Sequence, residues 1–218
     1  MMCYYCQYRK NNTSNKGPIL TMKQLVLPIK SEEVLAQVQD TLLHNFKAGQ
    51  RNYTIFQVGK ATLLRVSDVL RLKQVDVFDD YGAIRERAYI TDKKTGKQNT
   101  LYLKPVMNDL VIYQQWLKRQ RLENQTPWLF PSTTRPQKHI DERQFYQIMA
   151  KVGRLLDLNY LGTHTMRKTG AYRVYVQSNY NIGLVMQLLN HSSEAMTLAY
   201  LGLDQVSREH MLDKIDFG

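Results

Sequence analysis

Apolar residues recur at helical spacing along most of the chain, and only one stretch, between about residues 75 and 103, breaks that period with strand-forming runs and a turn. That pattern confines the fold to a mainly α domain carrying a small antiparallel β-sheet. Ser31 precedes Glu32 and Glu33, so a hydroxyl cap and two first-turn carboxylates open a helix. Val34, Leu35, Val38, Leu42, Leu43 and Phe46 then fall on one stripe of it. Further helices are expected at about 52–63, 67–72, 106–122, 141–156, 164–178, 182–189 and 193–200. Inside the interruption, Val75–Phe78, Arg87–Thr91 and Thr100–Leu103 read as strands. The last two are joined through Lys94-Thr95-Gly96-Lys97, where Gly96 supplies the positive φ of a tight turn.

The 218 residues suffice for one filled core and hardly for two full-sized domains. Residues 1–23 lack any period and are rich in Asn, Lys and Tyr, so a flexible leader is expected there, with Met22 as an alternative start. Residues 24–218 are expected to form a single domain. Cys3 and Cys6 make a lone C-x-x-C with no second pair at zinc-finger spacing, and are read as incidental thiols. No apolar run reaches bilayer length and no signal pattern opens the chain, which points to a cytoplasmic protein. Thirty Lys and Arg face nineteen Asp and Glu, a formal charge of +11. Such a field attracts polyanions, nucleic acids and anionic membranes alike. Charge narrows the class of partner without choosing it.

Four separated pieces carry chemistry: Leu64-Arg65-Val66-Ser67-Asp68, the hairpin with Lys94, Gly162-Thr163-His164-Thr165-Met166-Arg167, and Leu189-Asn190-His191-Ser192-Ser193 with Tyr200 nine residues after His191. Two arginines that stay protonated and fork onto phosphate oxygens can neutralise charge building on a phosphodiester. His164 and Arg167, at i and i+3, share a helix face, with Thr163 as the expected N-cap aiming that helix start at an anion. A phenol is a poor nucleophile at its free pKa of about 10, so Tyr200 needs cations nearby and a proton acceptor, for which His164 is suited. Lys94 at the hairpin tip can protonate a departing 5′-oxygen, a role open equally to Lys93 or Lys97. Nine residues of unbroken helix span about 13 Å. The chain must therefore bend between His191 and Tyr200, or Tyr200 must swing in on a mobile segment.

These pieces resemble the tyrosine recombinase (phage integrase) family. Arg65 with Asp68 looks like its first arginine box, His164-Thr165-Met166-Arg167 like its H-x-x-R box, and Leu189-Asn190-His191-Ser192-Ser193 with Tyr200 like its L-G-H-S-S…Y box, Asn190 standing for the common glycine. Trp128-Leu129-Phe130-Pro131-Ser132 resembles a structural segment found upstream of the H-x-x-R helix. The likeness spans about residues 50–204 and implies a tyrosine recombinase catalytic-domain-like fold. It implies Arg65, Lys94, His164, Arg167, His191 and Tyr200 as the active-site set, and it is by the family's pattern that Lys94 is preferred among the lysines. It further implies cleavage and rejoining of double-stranded DNA through a 3′-phosphotyrosine, without metal, ATP or other cofactor. A homotetramer on two DNA sites, accessory DNA-bending proteins and a C-terminal tail from about residue 201 that packs on a neighbouring protomer also follow from the likeness. The short leader resembles minimal members such as the fimbrial-inversion recombinases. Two rival readings are a type IB topoisomerase-like relaxing enzyme and a non-catalytic regulator using residues 164–178 and 182–189 as a helix-turn-helix. No carboxylate cluster has the spacing of a two-metal nuclease.

Overall fold

In the computed structural model the described residues are 25–91, 96, 98–123, 125–204, 209, 212, 213, 215 and 216. Cys3, Cys6, Met22, Lys93, Lys94 and Lys97 lie outside them. The architecture is mainly helical with one two-stranded antiparallel sheet.

Helix α1 (Glu32–His44) begins where the Ser31 hydroxyl accepts the Val34 amide, and it buries Leu35, Val38 and Leu42. Helix α2 (Gly49–Thr62) starts earlier than its apolar pattern suggests and runs through the centre of the domain. Its Ile55, Phe56 and Val58 are all fully buried, as is Thr54, so neighbours on several sides leave it no single apolar stripe. Leu63 closes it in the left-handed region at φ 55°, which turns the chain into α3 (Val66–Leu70).

The expected strand Val75–Phe78 is instead one helical turn, α4 (Gln74–Val77). The Asp76 carboxylate accepts the Lys73 amide, and the Gln74 side-chain amide donates to the Thr126 carbonyl, so local polar bonds override the alternating apolar pattern. Only Phe78 bridges, to Ile84. Strands β1 (Arg87–Thr91) and β2 (Gln98–Tyr102) pair with Arg87 opposite Tyr102 and Thr91 opposite Gln98. Gly96 takes φ 68°, the value the hairpin turn was expected to need.

Helices α5 (Met107–Arg119) and α6 (Glu142–Leu155) complete the main core, to which Tyr113, Phe130, Phe145 and Met149 contribute fully buried side chains. Helix α7 (Thr165–Gln177) lies on α2 so closely that a Cβ on Gly170 would stand 2.0 Å from the Lys60 carbonyl oxygen. Only glycine lets the two backbones meet there. Helices α8 (Ile182–Leu189) and α9 (Glu194–Tyr200) close a smaller cluster built from Leu63, Ala171, Val185, Leu189 and Leu201. Ahead of α1 the extended run 25–30 crosses α7, where the Ile29 amide donates to the Thr169 hydroxyl at 3.0 Å. Among the described residues no helix is long and apolar enough to cross a membrane.

Candidate active site

Five of the six expected residues converge. Arg65 is the N-cap of α3, in extended conformation, and its carbonyl accepts the amides of Asp68 and Val69. Asp68 itself is only 4% exposed in the first turn of that helix. Arg65 acts electrostatically on His164, His191 and Tyr200, so its guanidinium faces the same space as the later residues. Arg167, on α7, is 7% exposed. It donates from Nη2 to the Leu189 carbonyl at 3.2 Å, and its guanidinium carbon lies 5.9 Å from the centre of the Tyr200 ring.

Thr163 does not cap α7. His164 occupies the N-cap position, and the turn before it is closed by the Gly162 amide donating to the Thr165 hydroxyl at 2.8 Å. The buried Thr165 wins because its hydroxyl reaches back inside the turn, whereas Thr163 Oγ1 lies 3.4 Å from His164 Nδ1. Desolvation, then the charges of Arg167 and Lys168, press the His164 pKa below its ordinary 6.5, with Glu142 opposing. The imidazole is neutral at pH 7 and able to take a proton.

The chain bends between His191 and Tyr200, one of the two arrangements their spacing allows, with Ser193 extended at φ −147° and ψ 151°. Asn190 ends α8 in the left-handed region at φ 54°, a place where the common residue is glycine and Asn is the next best tolerated. Ser193 then caps α9 by accepting the Met196 amide. The corner brings the His191 and Tyr200 rings to 5.2 Å between centres, edge to face. His191 Nδ1 lies 3.1 Å from the Thr197 hydroxyl. Burial, followed by Arg167 and Arg65, also lowers the His191 pKa. The Tyr200 hydroxyl is buried and has no hydrogen-bond partner among the described residues. Burial raises its pKa above 10, and Arg167 and Arg65 only partly offset this. Tyr200 therefore rests as a neutral phenol, with the Arg167 guanidinium over its ring and an imidazole at its side.

Two contributors were missed at the level of sequence. Lys168 Nζ lies 5.0 Å from the Tyr200 ring centre and donates to the Val26 carbonyl at 2.8 Å. Thr197, fully buried, orients His191. Thr197 precedes Tyr200 by three residues, a helical neighbour that its spacing could have revealed. Lys168 stands four residues after His164, a spacing that places it on the same helix face, while its meeting with Tyr200 lies outside any local pattern. The segment Trp128–Ser132 is structural, as expected: Leu129 and Phe130 are fully buried, and the Leu129 amide donates to the Leu72 carbonyl. Among the described residues no group of three or more His, Cys, Asp or Glu is placed to hold a metal.

Comparison with known proteins places this geometry. Residues 30–206 match the model of the phage integrase family. A relative described as a probable integrase/recombinase, YoeC of Bacillus subtilis (strain 168), is 34% identical over 182 residues, covering 83% of this chain and 92% of that one. Among solved structures, XerA recombinase superposes with a TM-score of 0.61 at 20% identity, covering 92% of this chain and 68% of its own. A λ integrase dimer bound to a core site gives 0.60 at 18%, covering 90% and 65%. XerH recombinase on its difH substrate, after cleavage, gives 0.58 at 20%, covering 88% of this chain and 53% of that chain, so the present sequence spans about half the XerH length. At these identities the structures speak for the fold, while the family match and the relative speak for descent. The chain belongs to the phage integrase family, the tyrosine-type site-specific recombinases.

Proposed function

We propose that the protein cleaves and rejoins double-stranded DNA at specific sites, with Tyr200 as nucleophile. The observation that carries this is the convergence on the Tyr200 phenol of Arg65, Arg167 and His191, residues from three separate stretches of sequence. The phenolic oxygen attacks the scissile phosphorus while its proton passes to a neutral imidazole, His164 in this reading. The bond from phosphorus to the 5′-oxygen breaks, leaving a 3′-phosphotyrosine, and Lys94 gives the departing oxygen its proton. A 5′-hydroxyl from another strand reverses the sequence. Arg65 and Arg167 hold the non-bridging oxygens as charge builds, the role in which fixed cations contribute most. His191 donates to the same phosphate and is itself steadied by Thr197. No metal or other cofactor enters.

The basic charge of +11 supports a DNA partner, and the λ integrase and XerH structures are themselves DNA-bound. In this reading residues 24–218 form one catalytic domain in the cytoplasm, working as a homotetramer on two sites with accessory DNA-bending proteins. Leu201 is fully buried in its own chain, so a tail reaching a neighbour starts beyond it. The test is a nicked suicide substrate taken from the protein's own genetic neighbourhood. A covalent adduct mapped to Tyr200 supports the reading, and recombinant products from two sites separate it from a topoisomerase-like relaxing enzyme. A wild-type protein that binds the DNA and never forms the adduct leaves only a regulator.

A further inference from the structure

The extended run ahead of α1 touches both flanks of the Tyr200 segment. On one flank Lys168, whose Nζ stands 5.0 Å from the Tyr200 ring centre, donates to the Val26 carbonyl. On the other, Lys30 Nζ donates at 2.9 Å to the carbonyl of Gly202, two residues beyond Tyr200. Gly202 takes φ 62°, and a Cβ on it would meet Leu27 at 3.1 Å and Pro28 at 3.4 Å, so the strand and the turn after α9 fit closely. Lys30 also lies 5.3 Å from the centre of the Tyr172 ring on α7. Ile29 and Leu27 anchor the run itself, through their amides, to Thr169 and the Tyr160 carbonyl. Apart from Tyr200 itself, none of the residues in these contacts belongs to the six-residue set.

We propose that the run Val26–Lys30 is a brace that sets the docked position of Tyr200, with Lys30 as a positioning residue acting through the Gly202 carbonyl. The physical reason is geometric. Tyr200 ends α9, and the amides of Leu201, Gly202 and Leu203 bond back to the Thr197, Ala199 and Leu198 carbonyls. Tyr200 and the turn after it therefore move together, and whatever holds that turn from outside α9 is a second point of attachment for Tyr200. Lys30 supplies that second point of attachment with a charged donor, half-buried and therefore stronger than one in open water. In-line attack tolerates little misplacement: a shift of about 1 Å can cost on the order of a hundredfold in rate.

The inference rests on Tyr200 being the nucleophile, and the experiment keeps the two apart. Lys30→Met removes the donor while keeping length, and Lys30→Arg keeps a donor. Three quantities are measured in wild type and both variants: single-turnover adduct formation on the nicked suicide substrate, DNA affinity by titration, and nitration of Tyr200 by tetranitromethane in the DNA-free protein, located by peptide mass. The brace requires Lys30→Met to slow adduct formation about 10- to 100-fold with affinity unchanged, to speed nitration of Tyr200, and Lys30→Arg to restore both. Equal adduct rates in wild type and Lys30→Met, unchanged nitration, or failure of Lys30→Arg to rescue overturns it. If wild type forms no adduct, the proposed chemistry fails instead, and the nitration comparison still decides the brace.

Discussion

His191 and Tyr200 stand nine residues apart in sequence and edge to face in space, their ring centres 5.2 Å apart. The corner at Asn190 makes this possible, and it places an imidazole edge and a phenol on the same side as the guanidinium of Arg167. Removing the hydroxyl alone tests what that arrangement is for. Tyr200→Phe keeps the ring on His191, Arg167 and Lys168 and deletes a buried hydroxyl with no partner among the described residues. Adduct formation is expected to vanish while DNA binding persists. Thermal stability should stay level or rise, within about 1 kcal/mol. A large fall in melting temperature shows that the hydroxyl is a packing group after all.

Arg167 is held between the Leu189 carbonyl and the Tyr200 ring. Lysine offers one point charge where a planar fork is needed. Arg167→Lys should lower single-turnover adduct formation about 100- to 1,000-fold and cost about 1–3 kcal/mol of stability. Paired kinetics and urea denaturation check both. Wild-type rates in this variant remove Arg167 from the phosphate clamp.

Both histidines titrate below 6.5 in the folded protein. A base with a lowered pKa keeps its proton-accepting form further into acid, so the acid limb of the adduct rate should have its midpoint below 6.5. Stability follows the same sign. Above 6.5 folded and unfolded chains hold these imidazoles alike, neutral, and as pH falls from 6.5 toward the folded values the unfolded chain takes up protons first and stability is lost. A pH–rate profile with a midpoint at or above 6.5 contradicts the assignment of His164 as proton acceptor.

Gly170→Ala places a methyl group 2.0 Å from the Lys60 carbonyl oxygen, where neither backbone has room to yield. The substitution should cost about 1–3 kcal/mol and depress DNA cleavage as well, since α7 carries Arg167. A denaturation midpoint equal to wild type means that α2 and α7 slide apart freely.

Most helices and the β1–β2 hairpin were legible because each rests on local chemistry: Ser31 as a cap, Gly96 as a turn, apolar stripes at period 3.6. Val75–Phe78 misled because its alternating apolar residues read as a strand, while Asp76 closes the turn on Lys73 and Gln74 bonds to Thr126, a partner that only the folded neighbourhood supplies. The same holds at the site. The spacing of His191 and Tyr200 called for a bend or a mobile segment, and the extended Ser193 between them supplies the bend. Thr163 does not cap α7: His164 holds the N-cap position, and the buried Thr165 hydroxyl closes the turn before it. Lys168 lies four residues after His164 on one helix face, but its meeting with Tyr200 depends on where α9 lands, which no spacing shows. Lys94 belongs to the hairpin residues outside the described set, and its role is carried by family likeness alone.

The proposed site residues are shared between the two buried clusters. Arg65 follows directly on Leu64, and Arg167 directly on Met166, both members of the large core. His191 and Tyr200 border the small one around Val185 and Leu189. Amide hydrogen exchange in such a molecule is expected to open α8 and α9 well before α2 and α7. On the proposed chemistry, the two guanidiniums then stay in place while the phenol rides on the element that costs least to release.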